Sequence, residues 1–70
     1  MIDIAEKIKI LAVKCKTTTA GIAQASNQSN ANLYNKMARN DFKISELQRI
    51  ADAMGVGLEV NFVLPTGEKV

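Results

Sequence analysis

Seventy residues carrying nine Lys plus Arg against seven Asp plus Glu, a net charge of +2, make one domain. A chain of this size buries only about 60% of its unfolded surface, so its core needs a staple or a partner. A single cysteine and no histidine exclude an internal disulfide and a Cys/His zinc site, no apolar run approaches the roughly 20 residues of a membrane span, and no signal-peptide pattern opens the chain, so a cytoplasmic location is expected.

Asp3 and Glu6 have the spacing of a capping pair, and Ile4, Ile8, Leu11, Ala12 and Cys15 recur at helical intervals, which predicts a first helix over Ile4–Lys14. Ile10 and Val13 fall off that stripe, and Cys15 reads as a small core residue. Thr18 is the predicted N-cap of a second helix ending near Ala25 or Ser26, in which Gly21 suggests close approach of a neighbour or a weak position. Asn27 lies at the corner, where a left-handed backbone closes one helix and opens the next, and Ser29 can cap a third helix over residues 30–38. Leu33 and Met37 form its inward stripe.

Arg39, Asn40 and Asp41 read as a loop. Phe42 and Leu47 have the spacing of a hydrophobic staple, and the fourth helix buries Ile44, Leu47, Ile50, Ala51 and Met54 before Gly55 ends it. Lys43 is a poor cap, and Ser45 with Gln48 offers a competing start. From Val56 the period changes to two, with Val56, Leu58, Val60, Phe62 and Leu64 alternating with Gly57, Glu59, Asn61 and Val63. The pattern predicts a strand followed by a turn at residues 64–67, with only Glu68, Lys69 and Val70 left to pair back. An unpaired apolar strand invites association. The expected partner is the same strand of a second copy about a two-fold axis, with Leu58, Val60, Phe62 and Leu64 in the dimer interface; the alternative is the extreme N-terminus.

The third helix is oddly composed on its outer face, which carries Asn30, Ala31, Asn32, Tyr34, Asn35 and Lys36. Three asparagines in six positions sacrifice helix propensity. From residue 24 to residue 40 the only charges are Lys36 and Arg39, both positive. A major groove admits one α-helix, and an amide side chain both donates to and accepts from an adenine edge, so double-stranded DNA is the expected reader of this face. The competing reading makes the asparagines solvated polar residues, Tyr34 a half-buried ring, and Lys36, Arg39 and Lys43 ordinary surface charges.

The order Ile8, Leu11, Thr18, Ile22-Ala23, Asn27, Ser29, Leu33, Phe42, Leu47 and Ile50-Ala51-Asp52-Ala53-Met54-Gly55 resembles the Cro and phage-repressor (XRE-type) class of helix-turn-helix regulators over about the first 56 residues. The resemblance implies a mainly α fold: one compact four-helix, lambda repressor-like domain over residues 1–56, followed by a C-terminal strand over residues 57–70 that pairs across a dimer. It also implies a homodimeric repressor reading a palindromic operator. Asn30, Ala31, Tyr34 and Asn35 would face base edges with Asn32 flanking them, and Thr19, Ser29, Lys36, Arg39 and Lys43 would reach the DNA backbone. Asn27 stands where the family usually has Gly, Ser26 where it has an apolar residue, Lys16-Thr17 where a Gly-Leu pair is common, and Ala31 where many members have Gln.

No cofactor or metal is expected. With no histidine, a cysteine on an apolar stripe and carboxylates that form no pair, the residues do not suggest an enzyme. The rival expectation is a protein-interaction module, such as an antitoxin or a regulator-binding subunit, that associates through residues 56–64.

Overall fold

Side-chain oxygens begin three of the four helices in the computed structural model, which describes residues 3–70. Asp3 Oδ1 accepts the Glu6 N–H at 3.1 Å and opens α1 (Ile4–Lys14); Thr18 Oγ1 accepts the Gly21 N–H at 3.0 Å and opens α2 (Thr19–Ala25). Ser29 Oγ accepts the Asn32 N–H at 3.1 Å and opens α3 (Asn30–Arg39). These are the donors that a helix N-terminus leaves without an intrahelical partner. At α4 (Ile44–Met54) the roles reverse: Glu46, in the first turn, reaches back so that its Oε1 accepts the Lys43 N–H at 3.0 Å. That bond selects Lys43 over Ser45 as the start.

Each helix ends on a left-handed residue. Lys16 (φ +56°), Asn27 (+60°), Asn40 (+51°) and Gly55 (+68°) follow α1, α2, α3 and α4 in turn. Asn27 and Gly55 do what sequence predicts; Asn40, expected only in a loop, takes the same left-handed conformation as Asn27, and Lys16 does so with no signal in its residue type. Arg39, expected in a loop, is the last residue of α3. No atom lies within 4 Å of a Cβ built on Gly55, so the cost of Gly55→Ala is backbone strain alone. We expect a loss of about 1–2 kcal/mol, read as an earlier urea midpoint with an unchanged slope.

The short helix α2 is central and packs on α1, α3 and α4. Its Ile22 and Ala23 are wholly buried, and around them gather Ile8 and Ala12 from α1, Leu33 and Met37 from α3, and Ile50 from α4. Phe42 packs against this cluster from the loop before α4. Gly21 marks a close approach, since a Cβ there would collide with the Thr17 hydroxyl. Ile10 and Val13 are exposed. Two sequence expectations shift: Ile44 is exposed, and Cys15 is only half-buried at the end of α1. Both sit at helix ends, beyond the reach of the central cluster.

The strand expected over residues 56–64 is absent; among the described residues no strand forms. After Gly55 the chain runs extended and then closes a small hairpin, in which Phe62 and Val70 exchange N–H···O bonds of 2.6 and 2.9 Å and the Leu64 N–H donates to the Glu68 carbonyl at 2.8 Å. A single antiparallel bridge, Val63 to Lys69, marks the pairing. The three terminal residues pair back, as the sequence allows, and are too few to satisfy a strand of that length. They reach only as far as Phe62, so residues 56–61 find no neighbour among the described residues to complete a ladder. The other partner considered for this strand, the extreme N-terminus, lies outside the described residues.

Of the expected interface residues, Leu58 is half-buried, Leu64 and Val60 are exposed, and Phe62 stands 77% exposed on the hairpin. Leu58 and Val60 form one wall of an apolar groove of about 390 Å³, whose other walls are Ile4, Ile8 and Leu11 of α1 and Ile44, Leu47 and Ile50 of α4. The half-burial of Leu47 is explained by this groove. No described helix is long and apolar enough to cross a membrane.

Candidate nucleic-acid interface

Burial of Leu33 and Met37 fixes how α3 is rotated, and the rest of its surface falls into three rows at four-residue spacing. Ala31, Asn35 and Arg39 form the row farthest from the core. Asn30 and Tyr34 run along one flank, Asn32 and Lys36 along the other. The side chains named by sequence are thus brought onto one helix, and all but Lys36 are exposed, Tyr34 at 49%. Ser29 is exposed at the start of α3, Lys43 is exposed after its end, and Thr19 is half-buried at the start of α2. Between the N-terminal ends of α2 and α3, Thr18, Gly21, Gln28, Ser29 and Asn30 line a shallow open notch.

The two flanks differ in how their side chains are held. Among the described residues no hydrogen bond engages the amides of Asn30 or Asn35. By contrast, Asn32 Nδ2 donates to Gln28 Oε1 at 3.1 Å, and the Lys36 ammonium pairs with the Glu46 carboxylate of α4. Ser29 Oγ is occupied by capping. Sequence reading placed Lys36 free for a phosphate; in the folded chain it is a shared group, because a carboxylate ten residues away reaches it.

Glu46 is held on both oxygens. The Lys36 ammonium, first, and the Lys43 N–H, second, hold its carboxyl below the ordinary value of 4.5, with the positive charges of both lysines adding to the effect. A carboxylate with a depressed pKa stabilises the fold above its unfolded value and loses that contribution as the pH falls through the folded one. We therefore expect the Lys36–Glu46 link to be intact above about pH 4.5 and to open below the lowered value. An NMR titration following the Glu46 side-chain carboxyl and the Lys43 amide together checks this, and independent midpoints would refute it.

Sequence reading also missed Ser26 and Gln28. Ser26 is 2% exposed, and its hydroxyl donates to the Ile22 carbonyl at 2.7 Å, with the Ala23 carbonyl at 3.2 Å. Gln28 Nε2 donates to Ser26 Oγ at 2.8 Å. A polar residue one place before an N-cap, four residues ahead of an asparagine on the next helix, is the signal available in the sequence. No cluster of three His, Cys, Asp or Glu suited to a metal ion occurs among the described residues. Comparison with models of protein families, with curated proteins and with solved structures finds no match to this chain, so its function is to be argued from the surface of α3.

Proposed function

We propose that this chain is a sequence-specific DNA-binding transcriptional regulator of the helix-turn-helix kind, acting as a homodimeric repressor. α2 and α3 are the two helices of the motif, and α3 enters the major groove. One observation carries the reading: the outward rows of α3 present the amides of Asn30 and Asn35, which no hydrogen bond engages among the described residues, beside Tyr34 and Arg39 and with no acidic residue anywhere on the helix. Amides serve an adenine edge, Ala31 suits a thymine methyl, and Thr19, Ser29, Arg39 and Lys43 border the face where phosphates would lie. Lys36 joins them when its link to Glu46 yields to a phosphate.

Dimerisation is supported by the tail. Phe62, Val63 and Val70 leave apolar surface exposed on a hairpin whose lead-in, residues 57–61, makes no backbone hydrogen bond among the described residues, and that edge offers a site for the same segment of a second copy. Two α3 helices would then sit roughly 34 Å apart on one side of the duplex and read a palindrome. Truncation after Gly57 should give a monomer by sedimentation with the helical circular dichroism retained. A truncated chain that still sediments as a dimer rejects the tail as the interface.

The DNA reading is tested by selecting bound duplexes from a random oligonucleotide pool at low salt. A two-fold symmetric consensus, with affinity falling steeply as salt rises, is the expected result. Failure to retain any duplex rejects the reading, and favours the alternative suggested by the exposed hairpin: a module that binds another protein, such as an antitoxin or a regulator-binding subunit.

A further inference from the structure

A chain of side-chain hydrogen bonds runs from the core to the reading face, and its direction is fixed at the buried end. The Ile22 carbonyl can only accept, so the Ser26 hydroxyl must spend its proton on it, at 2.7 Å. Ser26 Oγ is then an acceptor, and Gln28 must turn its NH₂ toward it, at 2.8 Å. This leaves Gln28 Oε1 facing α3, where it accepts from Asn32 Nδ2 at 3.1 Å. Of the four groups only Asn32 lies on the exposed helix, and its amide can no longer rotate by half a turn without losing the chain. Ser26, being 2% exposed, has no water to substitute for the lost partner.

We propose that Ser26 and Gln28 are positioning residues that lock the Asn32 amide with its oxygen outward, so that Asn32 selects a base edge bearing an amino group, adenine or cytosine, against guanine or thymine. The inference rests on the DNA-binding reading of α3 and adds a specificity that neither exposure nor composition of the helix supplies. A free amide can flip and exchange the places of its oxygen and its nitrogen. An amide locked from behind fixes where its oxygen stands, with one N–H left beside it.

The test has an arm without DNA and an arm with it. In the free protein, the Asn32 side-chain NH₂ should exchange with solvent more slowly than those of Asn30 and Asn35, and Gln28→Ala should remove the difference; equal exchange in the wild-type chain overturns the proposal whether or not DNA binds. With duplexes varied one base pair at a time, the wild type should prefer adenine or cytosine at one position of each half-site by roughly tenfold, and Asn32→Ala should abolish that preference. Gln28→Ala should reduce it to about twofold while leaving the other positions unchanged, and should add nothing in an Asn32→Ala background. Gln28→Glu loses its bond to Ser26 Oγ but keeps an oxygen that can only accept from Asn32 Nδ2, so it should keep the preference while its added charge weakens all duplexes alike. A preference that survives Gln28→Ala, or one lost equally in Gln28→Glu, overturns the proposal. Slow Asn32 exchange with no duplex bound would instead reject the DNA reading, and the specificity assigned to Asn32 with it.

Discussion

Leu33→Ala should lower the stability of the chain by about 2–5 kcal/mol, the range for emptying a fully buried leucine site. Leu33 is wholly buried, with Ile22 the other large side chain in that state, and the two meet in the cluster that joins α2 to α3. Domains of this size hold roughly 0.05–0.15 kcal/mol per residue, so the loss takes a large part of the total. Urea titration followed by circular dichroism at 222 nm measures it. A change under about 1 kcal/mol would mean that α3 collapses onto α2 to refill the site, or that the two helices are not packed as described. Because Leu33 fixes the rotation of α3, folded Leu33→Ala protein should also discriminate poorly between DNA sequences.

Asn35→Ala should cost about 1–3 kcal/mol at one base pair of the half-site and relax the preference there. Asn35 lies in the row of α3 farthest from the core, its amide engaged by no described residue, so removing it leaves the fold intact and any bound base edge unpaired. Asn30→Ala should do the same at a neighbouring position. Lys36→Ala serves as the contrast: it should weaken all sequences alike and flatten the salt dependence by at most about 0.9, since Lys36 is shared with Glu46. The measurement is competition binding against a panel of single-base variants at two salt concentrations. A uniform loss from Asn35→Ala, with the base preference unaltered, would count against direct readout by this helix.

The helices were legible because each begins with local chemistry. Asp3, Thr18 and Ser29 cap where their positions predict, and the stripe of Leu33 and Met37 sets the face of α3. Asn27 takes the left-handed corner, as an asparagine between two helices can. Lys16 and Asn40 do the same, one without any signal in its residue type and the other with a distant tie as well. Lysine has no preference for that conformation. Asn40 is held in place from far away, its Oδ1 accepting the Ile4 N–H at 2.8 Å across thirty-six positions of sequence.

The candidate site was legible as a face and illegible as a network. Four-residue spacing tells which side chains of α3 share a row, but the groups that bind Asn32 and Lys36 lie off the helix, in the preceding turn and in α4. Ser26 looks out of place beside apolar neighbours until the Ile22 carbonyl is seen to accept its proton. In the tail, a period of two describes which side chains share a side, not what the backbone pairs with. Residues 56–61 alternate as a strand does and yet, among the described residues, have no ladder to join.

The four left-handed corners bear on how the molecule acquires its shape. Since each reversal is made by a single residue at a helix end, α1 meets α2, and α2 meets α3, across only a handful of intervening positions. Short sequence separations make for rapid folding, in microseconds to milliseconds for helical domains. The exceptions are the packing of α2 on α4 and the bond from Ile4 to Asn40, which join distant parts of the chain. Those two closures bear the larger loop entropy, so they are expected to form after the neighbouring helices have met.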